Sequence, residues 1–273
     1  MSAPLLITSK SNARVKALRA SFSGKAAQPG DRLGLEGEHL IAEAIRSGLS
    51  IEALFLRQGS HSLLHRPALA HAAARVAASS TFTLSPDVFV SAVETASPQG
   101  IAATVHIPAL PLTPLQPQAV VLVLEGLQDP GNLGTLLRTA EAFAAQQVYL
   151  TPDTVNPWNP KVVRASAGSV FRIPVARAPL ADIAQQLHGQ GTRIYAAVAQ
   201  SHGADSLLHI AFAPRVALLI GNEGSGLSAQ ALALAHQKVC IPCAVESLNA
   251  AVAGATLLYE ALRQRLSSTN LAS

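Results

Sequence analysis

Three short segments of this chain carry amides, carboxylates, hydroxyls and an arginine among glycines, at spacings that could bind and orient a reacting ligand. The first, Glu125–Arg138, reads EGLQDPGNLGTLLR. Asp129, Pro130 and Gly131 make a tight turn, and Asn132 is the expected N-cap of a helix over Leu133–Ala145. Arg138 then lies nearly two turns into that helix, flanked by Leu133, Leu136, Leu137 and Ala140. An arginine set among core residues has an anion or acid to meet; the plainer reading is a surface arginine. Gly134 costs about 1 kcal/mol of helix propensity relative to Ala, and its missing side chain would let a substrate backbone approach.

The second segment, Ile220–Leu227, reads IGNEGSGL. Its glycines suggest a phosphate loop, but neither G-x-G-x-x-G nor Gly-Lys-Ser/Thr is present, and Glu223 would repel a phosphate. An acid in a glycine loop suits a hydroxyl-rich or cationic ligand, such as a nucleoside bearing a sulfonium. The third, Ile241–Ala255, reads IPCAVESLNAAVAGA. Ser247 is the expected N-cap of a terminal helix whose first turns carry almost no side-chain volume. Tight packing accounts for the alanines and Gly254, but not for Ser247 and Asn249 on either side of Leu248.

The elements that must position these segments follow from apolar patterning. Val120–Leu124 (VVLVL) and Val216–Ile220 (VALLI) are continuous apolar runs, as expected of strands buried on both faces. Further strands are expected over Gln147–Leu150, Ile173–Val175, Ile194–Val198 and Val239–Ile241, with helices over Leu180–Leu187, Ser228–Ala235 and Leu248–Leu266. This alternation predicts a mainly parallel sheet covered by helices on both sides, with ligands at the carboxyl ends of its strands.

Upstream, Ile107–Gln118 (IPALPLTPLQPQ) places a proline at every third residue, which favours an extended strap and forbids a helix. We expect a small α/β domain over residues 1–106, a linker over 107–118 and a larger α/β domain over 119–273. In the first, strands are expected over Leu33–Glu36, Ile51–Leu56, Phe82–Leu84 and Ala102–Ile107, and helices over Gly37–Ser47 and Pro67–Ala78.

With 49% hydrophobic and 13% charged residues the chain has ample apolar surface to bury. Its mean hydropathy is +0.30, yet every apolar run is cut before the roughly 20 residues a membrane span needs. The N-terminus lacks the pattern of a secretory signal, and two cysteines make no disulfide framework; a soluble, cytoplasmic protein is expected. The formal charge of +4 is mild, but Lys10, Arg14, Lys16, Arg19 and Lys25 fall in one stretch without an acid. By itself that stretch reads as a solvated helical face near a frayed terminus.

The three loops, in this order, resemble the three motifs of the SpoU (TrmH-type) branch of the SPOUT RNA methyltransferases. Motif one, N-x-G-x-x-x-R, is matched by Asn132, Gly134 and Arg138; motif two by Gly221–Leu227; motif three by Ile241, Pro242, Ser247, Leu248 and Asn249. ITSKSNARVKALR (Ile7–Arg19) and LEGEHLIAEAI (Leu35–Ile45) are similar to the family's ribosomal-protein-like substrate-binding domain. The resemblance implies a C-terminal trefoil knot, an exception to the rule against knotted chains. It also implies a homodimer and S-adenosylmethionine-dependent methylation of an RNA ribose 2′-hydroxyl. By the same resemblance Gly221, Ile241 and Leu248 contact the cofactor. Arg138 stabilises the developing alkoxide or acts as base, while Asn132, Glu223, Ser247 and Asn249 orient the reactants. Lys10, Arg14, Lys16 and Arg19 would then meet RNA phosphates. The extra N-terminal domain points to 23S ribosomal RNA, with transfer RNA or a non-catalytic RNA-binding role as alternatives.

No metal is expected: the histidines lack ligand spacing and the sulfonium is already electrophilic. Cys240-Ile-Pro-Cys243 has the spacing of a redox pair, but Cys240 falls in a strand and no helix starts at Cys243, which favours two packed thiols. Trp158 is expected in the core.

Overall fold

A computed structural model describes residues 5–69, 76, 78–200 and 203–270. Two compact units are formed, one by residues 1–109 with 158–171, the other by residues 110–157 with 172–273.

The first unit begins with β1 (Leu5–Ile7), α1 (Ala13–Ser21), β2 (Arg32–Glu36), α2 (Glu38–Arg46), β3 (Ile51–Arg57), β4 (Thr81–Leu84), α3 (Pro86–Ala92) and β5 (Ile101–His106). Its sheet runs β1-β4-β3-β5-β2, with β1, β4 and β3 parallel and β5 antiparallel to its neighbours. Val15 and Leu18 of α1 and Val88 and Phe89 of α3 pack with Phe55, Phe82 and Leu84 of the sheet. The basic N-terminal stretch is therefore no frayed end. Asn12 caps α1 by accepting from the Arg14 N–H at 2.9 Å, and the helix is anchored by its apolar face. The short elements β1 and α3 escaped the sequence reading, and the helix expected over Pro67–Ala78 falls largely outside the described residues.

The second unit starts with β6 (Val120–Leu124), α4 (Pro130–Ala142) and β7 (Gln147–Leu150). The following helix, α5 (Pro160–Ala165), is grouped with the first unit, as is the buried Trp158 before it. The second unit resumes with β8 (Val175–Arg177), α6 (Leu180–Gly189), β9 (Arg193–Ala197), β10 (Asp205–Ser206), β11 (Val216–Ile220), α7 (Ala229–Leu234), β12 (Gln237–Cys240) and α8 (Ala250–Asn270). Its seven strands, in the order β10-β12-β9-β11-β6-β7-β8, are all parallel.

Strand alternation assigns the two faces. Val121, Val123, Tyr149, Ala217 and Leu219 pack against Ile183 and Leu187 of α6 and Ala231 of α7. The other face receives α8: a Cβ on Gly254 would lie 2.3 Å from Leu136 of α4 and 3.7 Å from Ile220 of β11. A side chain there would make Leu136 shift, which is the packing reason for glycine at this position of the terminal helix. Along Ile107–Gln118 the chain is neither helix nor strand. Where it lies on the second unit it is held by side-chain amides, Gln190 accepting from the Leu115 N–H and Gln146 from the Gln116 N–H.

Several helix ends differ from expectation. Asp129, not Asn132, caps α4, accepting from the Asn132 N–H at 2.7 Å, so the helix starts at Pro130, where a missing N–H costs nothing. It ends at Ala142, before Ala144 takes a left-handed φ of 56°. Asn249, not Ser247, caps α8, accepting from the Ala251 and Val252 N–H groups at 2.9 and 3.3 Å. The strand expected at Ile173–Val175 lies over Val175–Arg177.

Candidate active site

The loops following β9, β11 and β12 border a cleft of about 300 Å3 at the carboxyl end of the second unit's sheet. The loop Gly221–Leu227 folds back on itself. A Cβ on Gly221 would lie 2.4 Å from the carbonyl of Gly226, so the turn requires glycine. Asn222 and Gly226 exchange backbone N–H···O bonds of 3.0 Å. The Asn222 side chain completes the fold: its Oδ1 accepts from the Gly224 and Ser225 N–H groups, and its Nδ2 donates to the Gly126 carbonyl at 2.7 Å.

Gly221, Ile241 and Leu248 all line the cleft, as do Glu223 and Ser247. Asn132 and Asn249 sit behind its rim and connect it. Asn249 Nδ2 donates to Asn132 Oδ1 at 3.0 Å, and Asn132 Nδ2 donates to Glu223 Oε1 at 3.0 Å. The carboxylate also accepts from the Asp129 and Gln128 N–H groups at 3.2 and 3.3 Å. A carboxylate can only accept, so Asn132 must turn its NH2 toward Glu223 and its oxygen toward Asn249. One polar chain thus joins all three loops in a single direction. Burial pushes the Glu223 carboxyl upward, but the Asn132 amide and the backbone N–H groups outweigh it, and its pKa is lowered from the ordinary value of 4.5.

Arg138 stands apart from this chain. It is exposed on α4, and the buried face of that helix is made by Leu133, Gly134, Leu136, Leu137 and Ala140. The arginine is therefore not embedded among core residues, and Gly134 faces the interior instead of an approaching substrate. Residues close along the chain need not share a face of a helix, and Arg138 falls on the outer arc of α4.

In the first unit Lys10, Arg14, Lys16 and Arg19 are exposed on or just before α1. Arg19 donates to the Ser91 carbonyl at 2.9 Å. The Arg14 guanidinium lies 4.5 Å from the centroid of the Phe82 ring, a cation–π contact. Both still present charge to solvent, but neither side chain is free to wander.

Asn222, Glu246 and Glu125 were not singled out from the sequence. The available signal was position: Glu125 directly follows VVLVL, and Asn222 follows VALLI after a single glycine. Glu223 and Glu246 are the charged side chains lining the cleft, and both are acidic. A ligand with net positive charge fits; a polyphosphate does not. Cys243 lines the cleft while Cys240 is buried in β12, and both thiols are free. Among the described residues no cluster of three metal-ligating side chains occurs, and no helix is long and apolar enough to cross a membrane.

Residues 119–259 match the model of the SpoU rRNA Methylase family, and residues 35–111 match that of the RNA 2′-O ribose methyltransferase substrate-binding domain. An uncharacterized tRNA/rRNA methyltransferase of Synechocystis sp. is 37% identical over 264 residues, 95% of this chain and 94% of the relative. The 23S rRNA (guanosine(2553)-2′-O)-methyltransferase of Bacillus subtilis is 33% identical, covering 93% of this chain and 97% of its own. Among solved structures, an RNA 2′-O ribose methyltransferase superposes with a TM-score of 0.80 at 30% identity, covering 96% of this chain and all of that one. A Sinorhizobium meliloti rRNA methyltransferase with S-adenosylmethionine bound gives 0.78 at 30% identity, covering 94% of this chain and 97% of that one.

Proposed function

Because this chain belongs to the SpoU rRNA methylase family and is an S-adenosylmethionine-dependent RNA ribose 2′-O-methyltransferase, we propose that its substrate is 23S ribosomal RNA and that the Asn249–Asn132–Glu223 chain orders its active site. That continuous hydrogen-bond chain, drawn from three separate loops, is the observation that carries the assignment of the site. The ribosomal substrate is supported by the Bacillus relative, which spans nearly the whole chain.

When bound, S-adenosylmethionine supplies a methyl group made electrophilic by its sulfonium. The residues that would hold it are Gly221, Ile241 and Leu248, through the backbone of the cleft loops, with Glu223 favouring its positive charge. What remains for the chain is to bring the ribose O2′ in line and to manage its proton. Asn132 is held in one orientation, Ser247 lines the cleft and Asn249 holds Asn132 from behind its rim, which supports a role for all three in orienting ribose and cofactor. Arg138 is exposed on α4, which supports its availability to the developing alkoxide or the adjacent phosphate. A guanidinium with a pKa above about 12 acts there by charge and hydrogen bonding more readily than by taking a proton. Lys10, Arg14, Lys16 and Arg19 position the RNA through phosphates.

The same proposal includes a cytoplasmic homodimer with a knotted C-terminal domain. Support for self-association comes from α8, where Val252, Tyr259 and Leu266 recur every seventh residue at 52%, 54% and 58% exposure, an apolar seam on one helix face. Light scattering at twice the chain mass is the expected result.

The test of function is incubation with tritiated S-adenosylmethionine and separate pools of unmodified 23S ribosomal RNA and transfer RNA, followed by digestion to nucleosides. A labelled 2′-O-methylnucleoside from the 23S pool is expected. Label from the transfer RNA pool alone would overturn the substrate; no label from either pool, with cofactor binding intact, would favour a non-catalytic RNA-binding role.

A further inference from the structure

One residue holds both ends of the loop that walls the cofactor cleft. Glu125 follows β6 directly, and its backbone N–H donates to the Ile220 carbonyl at 2.9 Å, where the loop begins. Its carboxylate reaches the loop's other end: Oε2 accepts from the Ser228 N–H at 2.9 Å and Oε1 from the Ser228 hydroxyl at 2.6 Å. Ser228 in turn caps α7, its hydroxyl accepting from the Ala231 N–H at 3.0 Å. The next residue completes the grip, with the Gly126 carbonyl accepting from Asn222 Nδ2 and its N–H donating to Thr151 Oγ1. Every residue from Ile220 to Leu227 lines the cleft; the Asn222–Gly226 pair closes the loop's interior, and Glu125 ties the residues that flank it, Ile220 and Ser228.

We propose that Glu125 is a positioning residue for the cofactor: by pinning Ile220 and Ser228 to one point, it keeps Gly221–Leu227 in the shape that accepts S-adenosylmethionine. This rests on the assignment of the cleft as the cofactor site. The physical reason is entropic. A glycine-rich loop samples many conformations, and a binding-competent shape populated only in part lowers apparent affinity by that fraction. Glu125 does not line the cleft, so it acts through the loop and not by contact with ligand.

The test uses the full chain with Glu125→Ala, Glu125→Gln and Ser228→Ala. Binding of S-adenosylmethionine is followed by calorimetry, and amide hydrogen exchange is followed over residues 221–228. Glu125→Ala removes charge-assisted hydrogen bonds and should weaken cofactor binding at least about tenfold, with faster exchange in the loop. KM for the cofactor should rise while KM for RNA stays put. Glu125→Gln retains one acceptor and a donor for the Ser228 hydroxyl, and should recover much of the loss. Ser228→Ala should weaken binding less than Glu125→Ala, and the double variant no more than Glu125→Ala, because the two residues act as one unit. Unchanged affinity in Glu125→Ala would overturn the proposal, whether loop exchange changes or not. If Glu125→Ala fails to fold, unchanged affinity and exchange in Ser228→Ala would do the same. A wild-type chain that binds no S-adenosylmethionine would instead refute the cofactor assignment, and faster loop exchange in Glu125→Ala would still report the clamp.

Discussion

The rim of the second unit and the basic helix of the first solve different problems with polar side chains. Around the cleft, Asn132, Asn222, Glu223, Glu125 and Asn249 each hold a defined partner on another loop, so that geometry is over-determined. On and just before α1, Lys16 and Lys10 are exposed, and the contacts of Arg14 and Arg19 leave their charge outward. Methyl transfer needs atoms placed to a fraction of an ångström; gripping a polyanion needs only charge of the right sign. Loss of one member is expected to disable the first arrangement and to weaken the second only by increments.

Substitutions sharpen that contrast, and the largest effect is expected at Arg138. Arg138→Ala should lower single-turnover methyl transfer about a hundredfold or more while calorimetry finds cofactor affinity near wild type; unchanged turnover would remove Arg138 from the chemistry. Next comes Asn132→Ala, which leaves Glu223 without its amide donor and Asn249 without its acceptor. Turnover should drop on the order of tenfold, by a conservative reading of one charge-assisted bond, and Asn249→Ala in the same background should add little.

Acid separates the two regions by a different route. The Glu223 pKa is lowered by its fold, so the charged form is favoured by folding. The stability it contributes is present above the ordinary 4.5 and is lost as pH falls through the lower folded value. Cofactor affinity should therefore hold from neutrality down to about that pH and decline below it, whereas Glu223→Gln should abolish the dependence. A decline already complete well above 4.5 would point to another group.

Charge removal on α1 should be milder. Arg14→Ala with Lys16→Ala should weaken RNA binding at all sequences alike and flatten the plot of log affinity against log salt by about 1.4 to 1.8, the share of two phosphate contacts. A steep loss at one RNA sequence only would mean the helix reads bases. Smallest in functional terms is Gly254→Ala, whose Cβ would collide with Leu136. Since a leucine side chain can shift, a thermal-unfolding cost of about 1–3 kcal/mol is expected, with kcat nearly unchanged.

Much of this was legible in the chain. VVLVL and VALLI could hardly be anything but strands buried on both faces, and their ends located the site, because in a parallel sheet the carboxyl edge is where loops converge. The type and order of the motif residues gave the chemistry through the family resemblance. Local capping was harder to read: Asp129 and Asn132 are both good caps three residues apart, as are Ser247 and Asn249 two apart, and propensity does not choose between near-equals. In each pair the residue that caps and the residue beside it play different parts, which the loop's path decides.

The amino-acid sequence alone determined the strand-and-helix alternation, the position of the reactive loops and the acidic character of the ligand site, because burial and charge are properties of residue types in order. Only the tertiary structure decided that Asn249, 117 positions beyond Asn132, donates to it, that Arg138 faces outward, and that Glu125 grips Ser228 across 103 residues. Hydrogen bonds between distant loops depend on where parallel strands place their ends, and that placement is fixed by packing the whole sheet, not by any local stretch of chain.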